Sequence, residues 1–303
     1  MTTEPVLAYR RVSVVYPGGA WAARDIDLVL GAGSCLALVG ESGCGKTTIA
    51  RAAVGILPEG TRVEGSIRVC GAEVAGASRS VMRQLRGRAI GYVGQDPYEA
   101  CNPLHRVGRH VAEAWLAHGR RPPPGAVSRR LGSLGIPSPD VTAKRYPHEW
   151  SGGMLQRATI AAASAHVPPV IVADEPTTAL DADRADAVLR DLRATGAAVL
   201  LVSHDLAAVA GHAEQVAVCY GGRIVEIGPA HAVMGDPRHP YTRALLTATP
   251  RLGCGLPTPL PGAPPLPTDH RRRCPFTDRC PEAVDACEQQ VPPLVGGVAC
   301  LRR

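Results

Sequence analysis

Residues 35–48, CLALVGESGCGKTT, decide the fold. The five apolar residues CLALV at 35–39 have the length and composition of a strand buried on both faces. Gly40, Gly43 and Gly45, with Lys46 and Thr47, then fit the phosphate-loop pattern GxxxxGK[ST]. Its glycines let backbone N–H groups converge on a phosphate, and the helix that follows adds its positive end. KTTIARAAVGIL, from 46, continues as that helix. The loop formed by Gly40, Glu41, Ser42, Gly43, Cys44, Gly45, Lys46, Thr47 and Thr48 is thus a candidate nucleotide site. Lys46 would bridge the β- and γ-phosphates, and Thr47 would ligate Mg2+ through its hydroxyl.

Working outward, residues 5–39 alternate apolar and polar around turn signals, which predicts short antiparallel strands before the buried one. VEGSIRVCGAEV at 63–74 reads as a hairpin, and AIGYVGQDP at 89–97 as a strand ending at Gln95. From about residue 98 the character changes. VGRHVAEAWLAHG and VSRRLGSLGI have helical periodicity on either side of RRPPPGA, predicting a helical insert over about 98–165 that includes a helix from 152. Strands at 169–176 and 197–205, a helix near 181–195 and the hairpin VAVCYGGRIVEIG follow. Strands alternating with helices imply an α/β fold with a largely parallel sheet covered on both faces. Residues 250–267 hold seven prolines, too many for any regular element but polyproline II.

Two further stretches carry chemistry. PVIVADEP ends an apolar strand in two acids: Asp174 would hold Mg2+ through its water shell, and Glu175 would polarise an attacking water. WSGGMLQR at 150–157 looks like a second anion site, because Ser151 can cap a helix whose first N–H groups Gly152 and Gly153 leave uncovered.

Composition narrows the class. A hydrophobic share of 45% among 303 residues supports a sizeable core, and an aromatic share of 4% means that Ala, Val, Leu and Ile must build it. No apolar run approaches the roughly 18 residues that span a bilayer, and MTTEPVLAYR has no signal-peptide pattern. The net charge of +6 comes almost wholly from Arg, since Lys46 and Lys144 are the only lysines. With no long basic block, no nucleic-acid partner is expected. Of ten cysteines, Cys35, Cys44, Cys70, Cys101, Cys219 and Cys254 are scattered and read as core or loop residues. Cys274, Cys280, Cys287 and Cys300 crowd the last thirty residues without a C-x-x-C pair. Clustered thiolates of this kind suit a 4Fe–4S cluster, with Arg271, Arg272 and Arg273 offsetting its charge; zinc and unligated thiols are the alternatives.

GESGCGKTT, GQDP, WSGGMLQR, VIVADEPTTALD and VSHD occur in an order and spacing that resembles an ABC transporter ATPase subunit along essentially the whole chain. The resemblance implies a P-loop NTPase core with an antiparallel β-subdomain, as a cassette over 5–235. HPYTRALLTATP, then CPFTDRCPEAVDAC, resembles the C-terminal extension of oligopeptide/dipeptide importer ATPases, a group that includes nickel importers; here it spans 236–303. The resemblance also implies roles. Gln95 corresponds to the Q-loop glutamine that senses Mg2+ and the transport partner, and His204 to the switch histidine at the γ-phosphate. Asp181 corresponds to the D-loop aspartate, and Tyr16 to the aromatic that stacks on adenine, although a core aromatic is the alternative. Catalysis would rest on Glu175, His204, Lys46 and Gln95, and Mg2+ on Thr47, Gln95 and Asp174. Two such subunits pack head to tail in this family, so Ser151, Gly152, Gly153 and Gln156 would reach the partner's ATP. Trp150 stands where the family usually has Leu, which predicts altered packing with retained function. The implied partners are a second ATPase subunit, two permease subunits and, indirectly, an extracellular solute-binding protein. The implied place is the cytoplasmic face of the cell membrane. A nickel or metal-chelate importer, and a soluble ATPase acting on nucleic acid or ribosomes, are the rival readings.

Overall fold

The computed structural model describes residues 4–302 apart from 179, 250–258 and 267–271. Cys254 and Arg271 therefore lie outside the described residues.

Two sheets frame the chain. Strands β1 (Leu7–Val15) and β2 (Trp21–Leu30) form a hairpin in an antiparallel sheet. After β3 (Cys35–Val39) and α1 (Lys46–Val54), the chain adds β4 (Arg62–Val69) and β5 (Ala72–Glu73), giving the order β2-β1-β4-β5. A short α2 (Arg79–Leu85) leads to β6 (Ile90–Val93). The helical insert holds α3 (Pro97–Ala100), α4 (Val107–Leu116), α5 (Ala126–Ser133), α6 (Pro139–Thr142) and α7 (Gly152–Ala163). Then β7 (Val170–Asp174), α8 (Ala182–Arg193), β8 (Ala198–Ser203), α9 (Leu206–Ala210), β9 (Gln215–Tyr220) and β10 (Arg223–Pro229) complete the second sheet. Its order is β10-β9-β3-β8-β7-β6, parallel throughout except for the β10 edge. Beyond it come α10 (Ala230–Gly235), α11 (Pro240–Ala248) and, after a 3-10 turn at Thr277–Arg279, α12 (Asp285–Gln289).

The unbroken apolar strands take the middle of this sheet because both of their faces are covered. Every residue of β3, β7 and β8 is buried. Side chains alternate between two cores, as the strand period of two requires. Leu36 and Leu38 join Ile49, Ala53 and the antiparallel sheet on one face. Cys35, Ala37 and Val39 join Leu155, Val188 and Tyr241 on the other. Small and branched side chains fill both, as an aromatic-poor sequence demands. The predicted α/β architecture, with its antiparallel sheet and helical insert, is the one observed.

The elements missing from the sequence reading are short: α2, α3, α6, α9, α10 and α12 span four to seven residues each. Two turns or fewer show no 3.6-residue period, so only their caps mark them, such as Ser78 accepting from the Val81 N–H.

Trp150 is packed into the insert's core at 4% exposure, and its indole N–H has no hydrogen-bond partner. A buried donor left unpaired is a cost that a leucine would not carry.

Candidate functional site

In a parallel sheet all strands point one way, so the loops leaving their carboxyl ends gather at one edge. Val39, Asp174 and Ser203 end β3, β7 and β8, and the registers Val39↔Ser203 and Asp174↔Val202 set them side by side. The glycine loop, the paired acids and His204 each follow one of these ends. That topology brings together residues far apart in the chain.

The loop at 40–45 needs glycine at specific points. Gly40 has φ 148, and a Cβ there would lie 2.1 Å from the Cys219 carbonyl oxygen. Gly45, with φ 103, would place one 2.1 Å from the Ala22 carbonyl oxygen. Among the described residues no backbone carbonyl accepts from the N–H groups of Gly43, Gly45, Lys46 or Thr47. These donors at the start of α1 are arranged for an anion. Lys46 is buried, and its Nζ donates to the Gly40 and Glu41 carbonyls at 2.8 and 2.9 Å. Its ammonium thus sits in the mouth of the loop. Tyr16, half-buried after β1, shares a 2.7 Å hydroxyl hydrogen bond with Thr48, which places it beside the loop. The Cys219 thiol bonds to the carbonyl of Cys44 at 3.0 Å and to its sulfur, and that bond holds the Cys44 thiol below its ordinary value.

The acids form two adjoining sets. Thr47 Oγ1 donates to Asp174 Oδ1 at 2.9 Å, Tyr92 donates to Oδ2 at 3.1 Å, and Arg51 lies 3.7 Å away. Glu175 takes a left-handed φ of 49, rare outside glycine, with its N–H bonded to the Val202 carbonyl at 2.9 Å. Three groups converge on its Oε2: Gln95 Nε2 at 3.4 Å, Thr178 Oγ1 at 3.1 Å and His204 Nδ1 at 3.2 Å. Thr178, Tyr92 and Arg51 were not foreseen. Thr178 follows the acids in DEPTT, whereas nothing in the sequence flagged Tyr92 or Arg51.

Burial pushes the Asp174 carboxyl above its ordinary value, although Thr47, Tyr92 and Arg51 pull it down. A carboxyl whose folded pKa is raised binds its proton more tightly in the native state. It therefore costs stability at neutral pH, and the cost fades as pH falls to the unfolded value of 3.8. Asp174→Asn should thus melt above the parent at pH 7 by differential scanning fluorimetry, by on the order of 2 °C for each kcal/mol of relief. The difference should close on acidification. A variant that melts lower at pH 7 would contradict this account.

The second anion site lies elsewhere. Ser151 caps α7, accepting from the Met154 N–H at 3.3 Å, and a Cβ added at Gly152 or Gly153 would meet nothing within 4 Å. The hollow there is lined by Ser151, Gly153, Met154, Arg157, Arg184 and Val188, with no phosphate-loop residue among them. Asp181 caps α8, accepting from the Arg184 N–H at 3.0 Å. Gln156 departs from its expected place. At 2% exposure it is turned into the chain's own cleft beside Gln95, and its Nε2 has no hydrogen-bond partner. Ser151 and Gln156 are five residues apart, about 1.4 helical turns, which puts them on different faces.

In the C-terminal segment Cys274 and Cys287 are buried while Cys280 and Cys300 are half-buried. Burial, reinforced by Cys287, Cys280 and Cys300, pushes the Cys274 thiol up to about 11. Among the described residues no group of three or more His, Cys, Asp or Glu could hold a metal ion. The expected arginine counter-charge needs correcting. Arg273 is tied to Asp278 and, at 2.7 Å, to Glu288, so its charge is already balanced.

Comparison with known proteins agrees with this geometry. A family profile described as ABC transporter matches residues 23–178, and one described as Oligopeptide/dipeptide transporter, C-terminal region, matches 225–287. The chain is 42% identical over 285 residues to the oligopeptide transport ATP-binding protein OppD of Mycobacterium bovis, covering 90% of this chain and 47% of that protein. It thus spans about half the length of the mycobacterial relatives it matches. It is 38% identical to the dipeptide transport ATP-binding protein DppD of Bacillus subtilis, covering 95% of this chain and 90% of that protein. Among solved structures, cbiO1 of Clostridium perfringens superposes with a TM-score of 0.66 at 24% identity, over 77% of this chain and 92% of that one. The ATP-binding cassette MJ0796, bound to ADP and Pi in a dimeric post-hydrolysis state, gives 0.65 at 23% identity, over 74% and 98%. These two likenesses speak to the fold. With one profile covering more than half of the chain, and near-full-length relatives well above the identity at which families diverge, the chain belongs to the ABC transporter family, among the oligopeptide and dipeptide transport ATP-binding proteins.

Proposed function

We propose that this chain binds and hydrolyses ATP to energise the uptake of peptides across the cytoplasmic membrane. The observation that carries the reading is the gathering of Gln95, Glu175 and His204 beside the Thr47–Asp174 pair at the mouth of the phosphate loop. Thr47, Asp174 and Gln95 offer the hard oxygen donors that suit Mg2+, which when bound offsets charge on the phosphate oxygens. In this mechanism the free N–H groups of the loop and Lys46 hold the phosphates, and Tyr16 stacks on adenine. Glu175 orients the attacking water and accepts its proton, while His204 contacts the γ-phosphate. Positioning and charge supply most of the rate.

No phosphate-loop residue lines the second anion site, so in this reading Ser151 and Gly153 serve a nucleotide held by another ATPase subunit packed head to tail. ATP then bridges two chains, and loss of the γ-phosphate releases them. A cleft of about 1050 Å³ beside Gln95, lined also by Tyr98, Glu99, His110 and Glu113, receives a permease subunit. No helix among the described residues is long and apolar enough to cross a membrane, so in this reading two permease subunits hold the chain at the cytoplasmic face. An external solute-binding protein delivers the peptide. The names of the relatives favour peptides over nickel chelates. The cassette spans 5–235 and the extension 236–303. The four terminal cysteines are assigned no 4Fe–4S cluster in this reading: among the described residues no such group could hold a metal ion, and burial keeps the Cys274 thiol protonated.

Anaerobic purification from membranes co-expressing the neighbouring permease and ATPase genes tests this. The expected complex carries both permeases and a second ATPase, and hydrolyses ATP faster in liposomes when the binding protein is loaded with peptide. Stimulation by a nickel chelate in place of peptide would overturn the substrate assignment. A coloured complex containing iron and acid-labile sulfide would overturn the reading of the four terminal cysteines as unligated thiols.

A further inference from the structure

The phosphate loop is gripped from a part of the chain that the ATPase mechanism does not use. Arg279 ends the 3-10 turn of the C-terminal segment, directly before Cys280, and is 7% exposed. Its guanidinium forks onto the Glu41 carboxylate, Nη1 to Oε2 at 2.8 Å and Nη2 to Oε1 at 3.1 Å. Nη1 also donates to the Tyr220 hydroxyl at 3.1 Å, and Nε to the Pro261 carbonyl at 2.6 Å. Glu41 is the second residue of the glycine loop, and its backbone is held as well. Its N–H donates to the Tyr241 hydroxyl at 2.9 Å, and its carbonyl accepts from Lys46. Tyr241 in turn packs on Tyr220 and on Phe276 of the same C-terminal segment, at centroid distances of 4.4 and 5.4 Å.

A glycine-rich loop loses much conformational freedom when it closes on a phosphate. β3 anchors one end and α1 the other, and of the residues between them Glu41 offers a long side chain that can be held from outside. A bidentate guanidinium fixes both position and orientation, which a single point charge does not. Holding the loop in its binding shape raises affinity without any contact to the ligand.

We infer that Arg279 is a positioning residue of the phosphate loop, through which the cysteine-bearing C-terminal segment sets the loop's affinity for nucleotide. The inference rests on the loop binding ATP as proposed above.

Mg-ATP binding by isothermal titration and steady-state hydrolysis, on the full chain, test it. Arg279→Gln should raise Kd and KM for ATP by about tenfold and leave kcat within about twofold. Arg279→Lys should recover part of that loss. Glu41→Gln should weaken binding comparably, and the Glu41→Gln/Arg279→Gln double variant should be no weaker than either single one, because both remove one link. Arg243→Ala, which breaks a different tie between the same segment and α11, the ion pair to Glu282, should leave ATP affinity unchanged. Parent-like affinity in Arg279→Gln, additive effects in the cycle, or an equal loss in Arg243→Ala would overturn the inference. Glu41→Gln, which leaves the C-terminal packing intact, and Arg279→Lys keep the question open to refutation if Arg279→Gln does not fold. A parent protein that takes up no nucleotide would sink the function and this coupling together, whereas unchanged variants of a binding-competent parent would sink the coupling alone.

Discussion

Glu175→Gln is expected to bind ATP about as well as the parent and to hydrolyse it slower by roughly 100-fold or more. The side chain sits at the tip of β7, where its left-handed backbone and the bond from its N–H to Val202 hold it in place. Its Oε2 accepts from Gln95 and Thr178, and His204 Nδ1 lies 3.2 Å from it. An amide of nearly the same shape can keep much of this network through its carbonyl oxygen, so the geometry should survive. It cannot accept a proton from water. Positioning is retained while the base is lost, which separates turnover from binding. Phosphate release measured beside equilibrium nucleotide binding gives both quantities. Near-parental turnover would remove Glu175 from the base role and turn attention to His204, its neighbour in the cluster.

Lys46→Arg should lose ATP affinity by about 100-fold or more despite keeping the charge. The Lys46 ammonium lies between the Gly40 and Glu41 carbonyls, and Cys44 Sγ is 3.8 Å away. The residue is only 4% exposed, so a planar guanidinium must displace the loop to fit. The sequence points the same way. Only two of its 33 basic residues are lysines, so a lysine here runs against a strong compositional bias toward arginine. Equilibrium binding of a fluorescent ATP analogue, competed with ATP, gives the number. Parent-like affinity in the arginine variant would show that charge alone suffices and that the close fit does not matter.

Much of this site was legible because its parts are local. A glycine loop, a capped helix and a strand ending in acids each announce themselves within about ten residues, through the hydrogen-bonding needs of backbone and cap. Glu175 stood out as an acid ending an apolar strand, whereas Gln95 and His204 were named through the family resemblance. That they share one carboxylate oxygen was not legible, because 80 and 29 residues separate them from Glu175. The inward turn of Gln156 and the capture of Arg273 by Asp278 and Glu288 were misjudged for a related reason. A motif fixes which residue types stand near each other, and packing decides which way each side chain turns.

By itself, then, the sequence determined the longer elements: buried strands from unbroken apolar runs, helices of more than two turns from their period, and an anion-binding loop from glycine and lysine spacing. Those features depend on interactions over a few residues, and a few residues suffice to show them. Only the tertiary structure decided which loops meet, because strand order β10-β9-β3-β8-β7-β6 sets neighbours by burial and pairing rather than by chain position. The Arg279–Glu41 bridge, 238 residues apart, is the clearest case. Among the described residues neither side chain has an ion-pair partner near it in the chain, and the sheet and the C-terminal segment bring the two together.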